Sequence, residues 1–251
     1  MNKVLNFLAI IFLILLGYSY HHKDKVPKVS GIAGFEKDPY QKMIKETPYN
    51  FEYRGHEYIV KPIAEYEFSG LVVSHNNIHA FSDIYHDSDS VDIKDLCIIW
   101  GQNLNDKMIS GMEFWSEPWT CFIQAKTEEA MSLFRGDQLS NNHLLSESAY
   151  LRRVISKAKI GDLVRIRGRL IGYFPKGYSE LERKSSTVRD DTGDGACEVI
   201  MVDSFDIVKS LNKGINFLYS FSYYAVIILA VLRFSIFLYS CYSQTSYEHL
   251  T

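Results

Sequence analysis

The sequence predicts a mainly β domain with one helix, flanked by two transmembrane helices. Three observations carry this reading. Uncharged apolar stretches stand near both ends of the chain, Val4 to Tyr20 and Ile215 to Leu232. Between them, apolar runs of strand length recur with Gly, Pro and Asp in the intervals, and one segment, Ala149 to Ala158, places apolar side chains at helical spacing. The 251 residues are enough for one sizeable domain with a real core. Lys3, Lys23, Lys25, Lys28, Lys209, Lys213 and Arg233, against Asp24 and Glu248, belong to the ends, which leaves residues 29–206 with 20 basic and 28 acidic side chains and a net charge of −8. That balance disfavours nucleic acid as a partner.

Val4–Tyr20 follows a short basic start with Lys3, as in a signal peptide or a signal anchor. The run closes on Gly17, Tyr18, Ser19 and Tyr20, then His21, His22 and Lys23. This offers no small-x-small cleavage site, so an uncleaved anchor over residues 4–20 is expected. As a helix it is about 25 Å long, at the short end of what crosses a hydrocarbon core. Ile215–Leu232 makes a second span of about 27 Å, with Arg233 snorkelling and residues 233–251 as a tail. Tyr219, Tyr223 and Tyr224 suit an interfacial belt. The lysines next to the spans favour a cytoplasmic domain, whereas a short n-region before an apolar start exports the chain beyond it. Export is the expectation here: a bacterial inner membrane with a periplasmic middle domain.

Residues 21–57 read as a stalk or irregular entry segment, and the domain as residues 58–208. Tyr58–Ile63 is a short strand interrupted by Pro62, and Tyr66–Val73 is a strand whose alternation breaks at Gly70, as at a bulge or sharp bend. Leu96–Trp100 and Trp119–Ala125 are continuous apolar runs of strand length. Ser146 reads as the cap of the helix, which Gly161 and Asp162 end. In LVRIRGRLIGYF, Val164, Ile166, Gly168 and Leu170 face one way and Arg165, Arg167 and Arg169 the other; Ala196–Val208 is the last strand. Cys97, Cys121 and Cys197 each sit in an apolar run. They read as small buried hydrophobes, with a Cys97–Cys121 or Cys121–Cys197 bridge open to an exported domain and no zinc spacing among them.

The order of three strands, a helix and two strands, with the phrase GDLVRIRGRL, resembles an OB-fold over roughly residues 58–208. The resemblance implies an OB-like small β-barrel with its helix between the third and fourth strands. Together with the paired apolar ends, the phrases Ser140-Asn141-Asn142-His143-Leu144 and Asp191 to Glu198 resemble uncharacterised bacterial membrane-anchored proteins. That family implies no known activity.

The densest polar segment is Arg183 to Glu198, where Ser185, Ser186 and Thr187 supply hydroxyls, Arg183 and Arg189 forked donors, and Gly193 and Gly195 tight turns. It reads either as an anion-binding loop or as a solvated hairpin-like loop. Ser140–His143 read as loop-ordering polar residues before the helix, with His143 as a general base beside Asn142 as the sharper alternative. Asp83, Asp87, Asp89, Asp92 and Asp95 with His86 lack the Gly and closing Glu of a calcium loop and read as a solvated acidic run, and His75 and His79 as flanks of a turn. No metal or cofactor is called for.

The function expected from these residues is a membrane-anchored, non-enzymatic binding module. It presents Arg165, Arg167, Arg169, Arg183 and Arg189, with Asn142 and His143, to an anionic ligand, a lipid headgroup or a protein partner. The alternatives are a membrane-associated hydrolase or transferase using His143 with Glu198 or Asp191, and a structural subunit of a membrane assembly. Two spans place residues 28 and 209 on one side of the bilayer and residue 251 on the other. Reporter fusions at the three positions check this, and a mature chain starting near His21 would contradict it.

Overall fold

The computed structural model describes residues 2–29, 32–78, 90–177, 181–191, 193 and 195–248. In chain order the helices are α1 (Asn2–His22), α2 (Asp106–Gly111), α3 (Glu128–Leu133), α4 (Ala149–Ile155) and α5 (Lys213–Glu248). The strands are β1 (Tyr40–Met43), β2 (Tyr49–Tyr53), β3 (His56–Asn76), β4 (Lys94–Ile99), β5 (Met112–Glu117), β6 (Thr120–Ala125), β7 (Leu139–Leu145), β8 (Asp162–Pro175), β9 (Arg183–Lys184) and β10 (Glu198–Ser210). The chain divides into two units, α1 with α5 and residues 26–211.

In the helical unit, Lys3–His22 and Lys213–Ser240 have mean hydropathies of 1.9 and 2.0 and are long and apolar enough to cross a membrane. No Gly or Pro follows Gly214, so α5 continues through Arg233 to Glu248 instead of ending at Leu232. Phe12 meets Phe221 at 5.7 Å and Tyr20 meets Tyr219 at 6.3 Å between ring centroids. Ser19 and Ser222 are fully buried and donate to the carbonyls of Leu15 and Leu218 one turn back. Small residues of this kind let helix backbones approach in the absence of a water-driven hydrophobic force. The Asn212 side chain donates to the carbonyls of Lys23 and Lys25 and ties the two helix ends together.

The second unit is mostly β, one large mixed sheet of eight strands and a separate β5–β6 hairpin. β3 pairs antiparallel with β1, β2, β4 and β8. β4 pairs antiparallel with β7, β7 runs parallel to β10, and β10 and β9 are antiparallel to β8. β3 is a single strand of 21 residues, where two were expected. Pro62 does not break it, because the register with β8 slips between Pro62 and Ala64, at a bulge where no ladder N–H is required. Gly70 is paired with Val164 and marks a close approach instead of a bulge: a Cβ there would lie 2.6 Å from the Ile99 carbonyl oxygen. Gly168 is tighter still, with the Met201 carbonyl oxygen 2.1 Å from the place of a Cβ.

Four further expectations change. Residues 21–57 are not all stalk, since β1 and β2 pair with β3 inside them. The strand of the sheet that precedes α4 is β7 and not Trp119–Ala125, most of which forms β6 in the hairpin. The domain has three short α-helices among its described residues instead of one. The cap of α4 is Ser148, whose hydroxyl accepts from the Leu151 N–H, while Ser146 donates to the Val202 carbonyl.

All six residues of β4 are buried. Leu96 and Ile98 pack with Leu144, Ile200 and Ile155 on one face. Cys97 and Ile99 pack with Met108, Met112 and Ala130 on the other. Cover on both faces is the reason the strand reads as a continuous apolar run. The Cys97–Cys121 disulfide, with 5.8 Å between the Cα atoms, fastens the hairpin to β4, and Cys197 is free.

Gly168→Ala should destabilise the domain by about 2–3 kcal/mol, because backbone cannot move aside as a flexible side chain would. Gly136→Ala, with nothing within 4 Å of its added Cβ, should stay within about 0.5 kcal/mol. Thermal unfolding of the full chain in neutral detergent measures both.

Candidate functional site

Strand register builds the site. Asp95 on β4 stands opposite His143 on β7, and His143 opposite Val199 on β10. Side chains directly across a ladder share a face, and alternation puts Cys97, Asn141 and Cys197 on that face too. His143 and Asp95 are buried, at 0% and 1% exposure. Nδ1 of the ring lies 2.6 Å from Asp95 Oδ1. Burial pushes the His143 pKa down, but the Asp95 charge, the bond to it and an interaction with the Cys197 thiol outweigh that and raise it to about 9. Burial also raises the carboxyl pKa of Asp92, which accepts from the Tyr173 hydroxyl at 2.7 Å.

The tip of the hairpin covers this face. Pro118 and Trp119 form its two-residue turn, and Trp119 has φ +71°, a left-handed position that a turn normally gives to Gly. The strain is held from two sides. The Trp119 N–H donates to Asp95 Oδ2 at 3.3 Å, and the Trp119 carbonyl accepts from Asn141 Nδ2 at 2.9 Å. One carboxylate thus holds both the imidazole and the turn. The indole lies 5.7 Å from the His143 ring, and the Arg183 guanidinium covers it at 3.7 Å.

Beside this cluster opens a cleft of about 800 Å³. Ile123, Phe134 and Leu139 give it an apolar part, Arg183 and Lys184 a basic one, Glu182 and Asp191 an acidic one, and Asn141 and Cys197 lie in its wall. Arg183 Nε and Asn141 Oδ1 are buried with no hydrogen-bond partner among the described residues. Arg183 is half-buried and Cys197 is half-buried.

The other expected residues lie elsewhere. Glu198 is opposite Asn142 and therefore on the other face of the sheet from His143, so the two are not brought together. Burial raises the Glu198 pKa to about 7 against the pull of Arg189, its ion-pair partner. Arg189 also reaches Gln41 at 3.1 Å. Asn142 is fully buried and donates to the carbonyls of Leu96 and Ser140. Asp191 lines the cleft and accepts from the Ser186 hydroxyl. Arg165 and Arg167 are exposed, with Asp206 and Glu67 opposite them on the neighbouring strands. Arg169 contacts Glu46 at 3.4 Å and Asp203 at 3.5 Å. A smaller cavity of about 410 Å³ next to Arg167 and Arg169 is also lined by Glu46, Glu65, Glu67 and Asp203.

Asp92 and Asp95 do not belong to a solvated run; both are buried. Asp83, His86, Asp87, Asp89 and His79 lie outside the described residues. Cys197 and Trp119 were not singled out as site residues from the sequence. The signal for Trp119 was a Pro-Trp pair between two runs of strand length.

No family model, curated protein or solved structure matches the chain.

His143 binds its proton more tightly folded than unfolded. Its contribution to stability is therefore complete below about pH 6.5 and is lost as pH rises through about 9. The loss is on the order of 3 kcal/mol. The melting temperature of the wild-type chain should fall more steeply between these pH values than that of Asp95→Asn, in which the buried imidazole no longer has a reason to hold its proton.

Proposed function

We propose that the chain is a membrane-anchored, OB-like binding module whose cleft takes an anionic ligand with an apolar body. The single observation that carries the reading is Arg183. Its guanidinium carbon lies 3.7 Å from the centre of the Trp119 ring at the edge of the cleft, with Nε unpartnered among the described residues, whereas Arg169 and Arg189 already hold carboxylates. Lys184 adds charge, and the apolar wall favours a ligand that is more than a small ion.

The OB-like reading is supported by the pairing sequence β3–β4–β7–β10–β8 with a further β3–β8 ladder, by the parallel β7–β10 pair, and by α4 lying between β7 and β8 in the chain. A periplasmic domain at a bacterial inner membrane is supported by the Cys97–Cys121 disulfide, a bond that persists in oxidising compartments. The two helices long enough to cross a membrane support the anchor.

Hexyl phosphate, which joins a charged head to a short apolar tail, is a suitable probe for the full chain in neutral detergent. Calorimetric titration should show binding that hexanol lacks. Arg183→Gln should weaken it at least about tenfold, or about 1.4 kcal/mol. The Arg165→Gln/Arg167→Gln variant should leave it unchanged. The opposite pattern would move the ligand face to the exposed face of β8.

A further inference from the structure

Cys197, the free thiol in the described domain, stands in the wall of the cleft next to the buried His143–Asp95 pair. Asp95 occupies Nδ1 of the ring and fixes its orientation. Nε2 is buried and closes no hydrogen bond of its own. The side chains acting on the imidazole are Asp95, Arg183 and Cys197, and Cys197 lies two residues before Val199, which stands opposite His143, so it shares that face, with its Sγ 3.8 Å from the Trp119 carbonyl oxygen. Asn141 donates from Nδ2 towards Cys197 Sγ at 3.5 Å while its Oδ1, buried in the cleft wall, has no partner. A nucleophile therefore stands in the wall of a cavity that holds unanswered polar atoms, with a base and a group that orients the base buried behind it on the same face of the sheet, the elements that covalent catalysis requires.

We propose that Cys197, His143 and Asp95 form a nucleophile–base–orienting triad that accepts the acyl group of an ester or thioester bound in the cleft. His143 holds the proton of the pair, and the Cys197 thiolate bonds through Sγ to the carbonyl carbon. The tetrahedral adduct collapses, the bond to the alcohol or thiol breaks, and the leaving group takes the proton from the imidazolium. Water then gives a proton to His143 and attacks the S-acyl carbon. The carboxylic acid leaves, and the thiolate and the imidazolium are restored. Cys197 and His143 are the catalytic residues, and Asp95 is a positioning residue. Asp95 outweighs burial and raises the His143 pKa to about 9, so the ring is the holder of the proton and the sulfur the nucleophile. The charged and titratable groups around the ring are Asp95 from β4, Asp92 just before it, Arg183 from β9 and Cys197 just before β10, with Tyr173 of β8 on Asp92.

The inference rests on the cleft reading for the shape of the substrate, namely an apolar acyl chain with an anionic part near Arg183. The test uses the full chain in neutral detergent and p-nitrophenyl butyrate. A burst of one nitrophenolate per chain and a butyryl group mapped to Cys197 by mass spectrometry are expected. Cys197→Ser should lower the burst rate at least about 100-fold, and His143→Gln likewise. If His143→Gln fails to fold, the wild-type rate of Cys197 alkylation by iodoacetamide against pH decides. It should stay high well below the pH at which a free thiol ionises, and Asp95→Asn should shift that profile upward. A butyryl group found on lysines, a burst that survives Cys197→Ala, or an alkylation profile matching a free thiol would overturn the proposal. Loss of hexyl phosphate binding with acylation intact would overturn the anionic-ligand reading alone.

Discussion

Burying Asp95 and His143 side by side is the constraint on which the middle of the sheet depends. Two charges taken from water cost several kcal/mol each, and their attraction offsets that only when geometry is good and the remaining polar atoms are answered. Both conditions shape the surroundings. The β4–β7 register sets the two side chains opposite each other, and the second oxygen of Asp95 accepts from the Trp119 backbone. A shift of β7 by one residue would turn His143 towards Leu96 and Ile98 and strand the carboxylate. The disulfide serves the same end by holding the hairpin, and with it Trp119, over β4.

The cover over this pair also creates the cleft. Pro118 and Trp119 turn the hairpin tightly, and the left-handed Trp119 holds its indole between His143 and Arg183. Such strain persists where surrounding bonds over-determine it, here the bonds to Asp95 and Asn141. The wall that results combines an aromatic ring, a cation and a thiol, and the face of the sheet opposite it is closed by the main core.

The arginines of β8 show how a local pattern misleads about charge. Arg165, Arg167 and Arg169 alternate with core residues and look like a positive ridge, yet neighbouring strands supply Glu67, Asp206 and Asp203, and the segment before β2 supplies Glu46. Charge on a sheet belongs to the ladder and not to the strand, because cross-strand neighbours are closer than residues two apart on one strand. Arg183 differs because it stands on a two-residue strand pairing with β8 alone, over a ring.

Patterns confined to one stretch of chain were legible without the fold: the two apolar ends, the period-two alternation of β8, the apolar run of β4 and the helical spacing of α4. These depend on how a segment meets an apolar surround, whatever that surround is. β7 was not legible, since Ser140, Asn141, Asn142 and His143 are polar and read as a loop. Polar side chains enter a buried strand only when distant partners answer them, and theirs are Leu96, Trp119 and Asp95. Asp95 is 48 residues from His143, and Cys197 comes to the same face from just before β10. The sequence by itself determined which segments are apolar, which alternate and where turns fall. The tertiary structure alone decided which polar groups share a buried site, because hydrogen bonds and ion pairs are set by distance in space, which strand order and register create.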